Sequence, residues 1–78
     1  MNLQIIAEIA KNLKELRTKR GLSIAELAEK AGTTKQTISY LENCERTPSF
    51  ETGLKIAQAL GVTAEELAYG EKKNEENE

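Results

Sequence analysis

The stretch "AGTTKQTISYLENCERTP", Ala31 to Pro48, decides the reading of this 78-residue chain. Gly32 opens a sharp turn, and Thr34 offers a side-chain oxygen as the N-cap of a short helix from Lys35 to about Asn43. Ile38 and Leu41, three residues apart, share the inward face of that helix. Gln36, Ser39, Tyr40 and Asn43 fall on the opposite face, with Lys35 beside them at the exposed N-terminus. Pro48 bars any continuation. The outer face is therefore polar but hardly basic, in a protein of net charge −2 and pI near 5.3. Whether it meets a polyanion or only water depends on its surroundings.

Upstream, Ile6, Ile9, Leu13 and Leu16 recur at spacings of three and four, which predicts an amphipathic helix. Asn2 is its expected N-cap, and Gly21 after Lys19 and Arg20 its stop. A second helix opens at Ser23 with Glu26 in the capping-box position, turns Ile24, Leu27, Ala28 and Ala31 inward, and ends at Gly32. Downstream, "ERTPS" reads as a loop. Ser49 caps a fourth helix over Phe50–Leu60, closed by Gly61, and Thr63 caps a fifth, "AEELA", with Glu66 in the reciprocal place. There is no strand pattern. The expected fold is all-α, a compact five-helix domain over residues 1–70, followed by a disordered charged tail over 71–78.

The acidic total belongs to that tail. Residues 1–70 carry nine basic and nine acidic side chains, whereas "EKKNEENE" adds two lysines and four glutamates. Between Lys11 and Arg46, eight basic residues stand against five acidic ones, so one half of the domain is mildly positive. Histidine is absent and Cys44 is the one cysteine, which excludes zinc clusters, Ser-His or Cys-His nucleophile pairs and an internal disulfide. Phosphate-cradling glycine patterns are missing as well. The expectation is no catalytic residue, no metal and no cofactor. No apolar run is long enough for a membrane span and the N-terminus lacks a signal-peptide pattern, so the cytoplasm is the expected location.

The informative constellation joins helices two and three. Ala28, Gly32, Ile38 and Leu41 follow one another at offsets of four, six and three. Two helices that cross steeply through a tight turn need a small residue at their contact, and Ala28 is one. The turn needs a residue that accepts positive φ, and Gly32 does. Ile38 and Leu41 then pin the third helix to the core. This is the spacing of a DNA-binding helix-turn-helix. Over "LKELRTKRGLSIAELAEKAGTTKQTISYLENCERTPSFETGLKIAQALGVTAEEL", the chain resembles the phage-repressor/Cro-type (Xre-like) helix-turn-helix family.

The resemblance implies a mostly dimeric DNA-binding domain of transcriptional regulators. Carried over, it assigns Lys35, Gln36, Thr37 and Tyr40 to base reading in the major groove. Ser23 and Ile24, through the amides that open helix two, are assigned to phosphate, with Thr34, Ser39, Asn43 and Arg46. Arg17 and Glu42 resemble a buried ion pair linking helices one and three. Three positions depart from the family. Ile24 stands where glutamine is usual, removing a side-chain phosphate bond. Cys44 replaces a glycine after helix three, so a left-handed backbone there would be strained by about 1 kcal/mol. Gly53 stands where leucine is common and weakens helix four by about 1 kcal/mol.

The expected function is a sequence-specific double-stranded DNA-binding regulator, a repressor acting as a homodimer on a palindromic operator. Val62, Leu67 and Tyr69, with Phe50, are one candidate dimer surface and "LQIIAEI" an alternative; the other reading of Val62 and Leu67 is that they close the small core. The rival reading is a protein-interaction module, such as an antitoxin or adaptor that grips a partner protein.

Overall fold

The computed structural model describes residues 3–70, so the Asn2 cap and the 71–78 tail lie outside the described residues. Five helices follow in order: α1 Leu3–Lys19, α2 Ile24–Ala31, α3 Lys35–Glu42, α4 Phe50–Leu60 and α5 Ala64–Tyr69. The described residues contain no strand.

Local chemistry sets the helix ends. Ser23, Thr34, Ser49 and Thr63 each accept from the backbone N–H three residues on, which satisfies one otherwise orphaned donor per helix. At Ser23 and Thr63 the glutamate returns the bond to the cap's own N–H, completing both capping boxes. α2 closes with Gly32 in the left-handed region, where Thr33 N–H reaches the Ala28 carbonyl at 2.9 Å. α3 closes by the same pair of bonds, Cys44 N–H to Leu41 and Glu45 N–H to the Tyr40 carbonyl at 2.8 Å. The left-handed position at that end is held by Cys44, at φ 60°, the one described non-glycine with positive φ. Its Cβ is crowded against the backbone, a strain that glycine lacks. Cys44→Gly is expected to raise stability by about 1 kcal/mol, read as a higher urea midpoint. An unchanged or lower midpoint would refute this account of the turn.

The core gathers Leu13 and Leu16 from α1, Leu27, Ala28 and Ala31 from α2, Ile38 and Leu41 from α3, Ile56, Ala57 and Leu60 from α4, and Leu67 from α5. Ala28 is buried in this core, where a larger side chain would force its neighbours apart. The apolar stripe of α1 needs one correction. Ile6 is half-buried rather than core, while Asn12, on the same face as Ile9 and Leu16, is buried. Asn12 Nδ2 donates to the Leu67 carbonyl at 3.0 Å, tying α1 to α5 and satisfying the amide where water cannot reach it. Leu67 is a core residue and Val62 packs half-buried against the core, so neither forms an open dimer patch. Phe50 and Tyr69, by contrast, are 81% and 70% exposed.

α1 and α3 are locked by Arg17. Its Nε and Nη2 donate to the two carboxylate oxygens of Glu42 at 2.7 and 3.2 Å, and Nη1 donates to the Leu22 carbonyl at 2.8 Å. One guanidinium thus joins α1, the α1–α2 turn and the last residue of α3. These bonds to Glu42 raise the Arg17 pKa further, against the opposing effect of burial. Glu42 sits at the negative end of the α3 dipole, an unfavourable place for a carboxylate without a cation beside it.

Candidate nucleic-acid interface

The surface of interest is built on α3. Ile38 is fully buried and Leu41 nearly so, which fixes the azimuth of the helix and turns positions 35, 36, 39, 40 and 43 away from the core. Lys35, Gln36 and Asn43 are exposed, and Thr37, Ser39 and Tyr40 are half-buried. The polar face is organised rather than loose. Thr34 Oγ1 donates to Thr37 Oγ1 at 3.0 Å while accepting from the Thr37 N–H. Asn43 Nδ2 lies 3.4 Å from Ser39 Oγ. Gln36 Nε2 donates to the Tyr40 hydroxyl at 2.7 Å, and the Arg46 guanidinium lies over the Tyr40 ring, 4.4 Å from its centroid. Lys35, Gln36, Ser39 and Tyr40 of α3, with Asn43 and Arg46, therefore share one surface, and Thr37 lies at its edge, bonded to Thr34.

The two helix N-termini differ in charge. The first turn of α3 holds Lys35 and no acidic residue, so the positive end of its dipole is reinforced. The first turn of α2 holds Glu26, whose carboxylate accepts from the Ser23 N–H at 2.8 Å. That hydrogen bond lowers the Glu26 pKa below the ordinary carboxylate range, so the group stays ionised at neutral pH. Here the sequence expectation needs correction. The Ser23 amide is already occupied and cannot donate to a phosphate as expected. The donors left at this end are the N–H groups of Ile24 and Ala25, which have no partner inside a helix at its first two positions, and the Ser23 hydroxyl proton. The Ile24 side chain is half-buried against the core.

Among the described residues no cluster of His, Cys, Asp or Glu has the arrangement to hold a metal, and no helix is long and apolar enough to cross a membrane. Elsewhere, α1, α4 and α5 with Pro48 line an open apolar groove of about 310 Å³, formed by Ile9, Pro48, Phe50, Leu54, Leu67 and Ala68 among others. Gly53 adds to its floor; a Cβ there would meet only Pro48, at 3.9 Å. Sequence reading missed Asn12 and the Glu26 occupancy. Both had a signal: a polar residue inside an apolar stripe, and the capping box itself.

A two-helix unit with Ala28 buried, turning at left-handed Gly32 and presenting a polar helix outward, defines a helix-turn-helix protein. The chain belongs to the phage-repressor/Cro-type (Xre-like) helix-turn-helix family, whose model, described as Helix-turn-helix, matches residues 13–67. It is 36% identical over 62 residues to the uncharacterized HTH-type transcriptional regulator YgzD of Bacillus subtilis, covering 80% of this chain and 94% of that protein. It is 37% identical over 60 residues to the HTH-type transcriptional regulator SinR of the same organism, covering 76% of this chain and 54% of SinR. Among solved structures, the restriction-modification controller protein C.AhdI from Aeromonas hydrophila superposes with a TM-score of 0.77 at 34% identity, covering 80% of this chain and 94% of that one. The relatives are transcriptional regulators rather than enzymes, and DNA binding is the activity of the family.

Proposed function

We propose that this chain is a sequence-specific regulator of transcription that represses by occupying a palindromic operator as a homodimer, with α3 in the major groove. The observation that carries the reading is the α3 surface: a helix anchored by Ile38 and Leu41 whose exposed side is an ordered set of hydrogen-bonding groups. In this arrangement Lys35, Gln36, Thr37 and Tyr40 meet base edges. The Ile24 and Ala25 amides, the Ser23 hydroxyl, Thr34, Ser39, Asn43 and Arg46 hold phosphates on either side. One short helix reads only a few base pairs, so specificity requires two half-sites about 34 Å apart. The compartment is the cytoplasm, where the DNA lies and the thiol of Cys44 stays reduced.

The test is selection of bound sequences from a random duplex pool at two salt concentrations. A palindromic consensus with half-sites one helical turn apart is expected, with a shallow salt dependence because the cationic contacts are few. Recovery of no palindromic consensus would overturn the reading. A second, more local result is expected at α2. Glu26→Gln keeps the capping box but removes a charge that repels phosphate. Affinity for duplex DNA should rise roughly two- to fivefold at low salt and return to the wild-type value at high salt.

The rival reading, a module that grips a partner protein as an antitoxin or adaptor does, is favoured by one observation, exposed Phe50 beside an apolar groove. A partner that stays bound after Gln36→Ala and dissociates when Phe50 is replaced would support it.

A further inference from the structure

Gln36 and Tyr40 lie one turn apart on the outer stripe of α3, and their side chains are joined at 2.7 Å with the amide nitrogen as donor. A glutamine amide has two orientations about its last torsion, and they offer a ligand different groups. With Nε2 committed to the tyrosine oxygen, Oε1 and the second N–H remain free to face outward. That acceptor and donor complement the N6 amino group and N7 of adenine. In the reverse orientation the tyrosine proton would occupy Oε1. The NH2 group would then be the one turned outward, and its donors suit the N7 and O6 acceptors of guanine. The ring that meets the amide is itself held, because the Arg46 guanidinium caps its face at 4.4 Å from the centroid.

We propose that Tyr40 is a positioning residue. Its hydroxyl holds the Gln36 amide in the adenine-reading orientation, so the preference for adenine over guanine at one base pair of each half-site depends on Tyr40 as well as on Gln36. The inference rests on the reading of α3 as the major-groove helix. Arg46 contributes by restraining the ring, whatever phosphate contact it also makes.

The experiment uses the full chain as wild type, Tyr40→Phe, Gln36→Ala and the double variant. Each is titrated by fluorescence anisotropy against the duplex selected by the wild type and against duplexes with single A·T to G·C replacements. Tyr40→Phe keeps the ring under Arg46 and removes only the hydroxyl, so its urea midpoint should match the wild type. The wild type is expected to prefer adenine by roughly tenfold or more at one pair per half-site. Tyr40→Phe should reduce that preference to about threefold or less, Gln36→Ala should do the same, and the double variant should lose no more than either, as expected for residues acting as one unit.

If Tyr40→Phe retains the preference that Gln36→Ala loses, Gln36 reads the base unaided and the positioning role is overturned, with DNA reading intact. A guanine preference at the Gln36-dependent pair would overturn it too, because the amide would then be reversed. If Gln36→Ala alters no base preference, or no consensus is recovered, the reading of α3 fails and takes this inference with it.

Discussion

Arg17→Ala is expected to destabilise the fold by about 3 kcal/mol, near the lower end of the range for breaking one side of a buried ion pair. The side chains of Arg17 and Glu42 keep 11% and 6% of their exposure, so the pair has a narrow edge to water and the full penalty is not reached. The loss has three parts. Glu42 keeps its charge in a site with little solvent, at the helix end where the dipole opposes it. The Leu22 carbonyl loses its donor at the α1–α2 turn. The aliphatic stem of Arg17 also no longer covers the core edge. For a domain this small, 3 kcal/mol corresponds to a fall in Tm of roughly 15 °C. Calorimetry or thermal circular dichroism measures it. The double variant Arg17→Met with Glu42→Leu should recover most of the stability, because an apolar pair of similar volume leaves no stranded charge. If Arg17→Ala lies within about 1 kcal/mol of the wild type, the pair is a surface pair in energetic terms and this argument fails. DNA binding by Arg17→Ala, where it stays folded, should weaken without a change in base preference, since the pin sets where α3 stands and not what it reads.

The helix plan was legible in the sequence because its boundaries rest on short-range chemistry. Ser23, Thr34, Ser49 and Thr63 satisfy N–H groups three residues away, and Gly32 or its stand-in Cys44 closes a helix with bonds inside six residues. No tertiary information is needed for either. The polar face of α3 was legible for the same reason, since Ile38 and Leu41 fix its azimuth by spacing alone. The occupancy of the donors was less so. Ser23 and Glu26 were read as a capping box, yet the consequence, that the Ser23 amide is spent and a carboxylate stands at the N-terminus of α2, follows only when both bonds are seen together. Apolar patterning was ambiguous where two stripes compete on one helix. In α4, Phe50, Leu54 and Ala57 form one i, i+4, i+7 series, while Ile56 and Leu60 form another. Packing against α2 and α5 buries Ile56, Ala57 and Leu60 and leaves Phe50 outside. That choice is a tertiary one and could not be read from periodicity. Leu67 went the other way, because its carbonyl is tied to Asn12, fifty-five residues earlier.

Phe50→Glu is expected to leave the monomer intact and remove high-affinity binding to a palindromic site. The side chain is 81% exposed, so little burial is lost, and a carboxylate at the first position of α4 suits the helix dipole. Monomer stability should therefore stay within about 0.5 kcal/mol of the wild type. The effect is directed at assembly. Phe50 stands on the rim of the groove formed with Ile9, Pro48, Leu54, Leu67 and Ala68, so one patch carries both a protruding ring and a cavity of about 310 Å³ to receive one. Under two-fold symmetry such a patch can face itself, each ring entering the partner's groove. Two half-sites bound by linked monomers gain by effective concentration, and loss of the link should weaken binding to the full palindrome by on the order of 100-fold. Binding to an isolated half-site should be unchanged. Sedimentation velocity gives the assembly state, and anisotropy titrations on full and half sites give the affinity. Tyr69→Ala serves as the comparison, since Tyr69 lines a separate surface with Gln4, Ile5 and Glu8. If Tyr69→Ala dissociates the dimer and Phe50→Glu does not, the interface lies on α1 and α5 and the Phe50 groove must have another occupant. If Phe50→Glu binds the palindrome as the wild type does, the dimer assignment to this groove is wrong. Because α3 reaches the groove through residues 43–49, which include the strained Cys44 and the Arg46 that caps Tyr40, assembly at Phe50 would also brace the connection that follows α3.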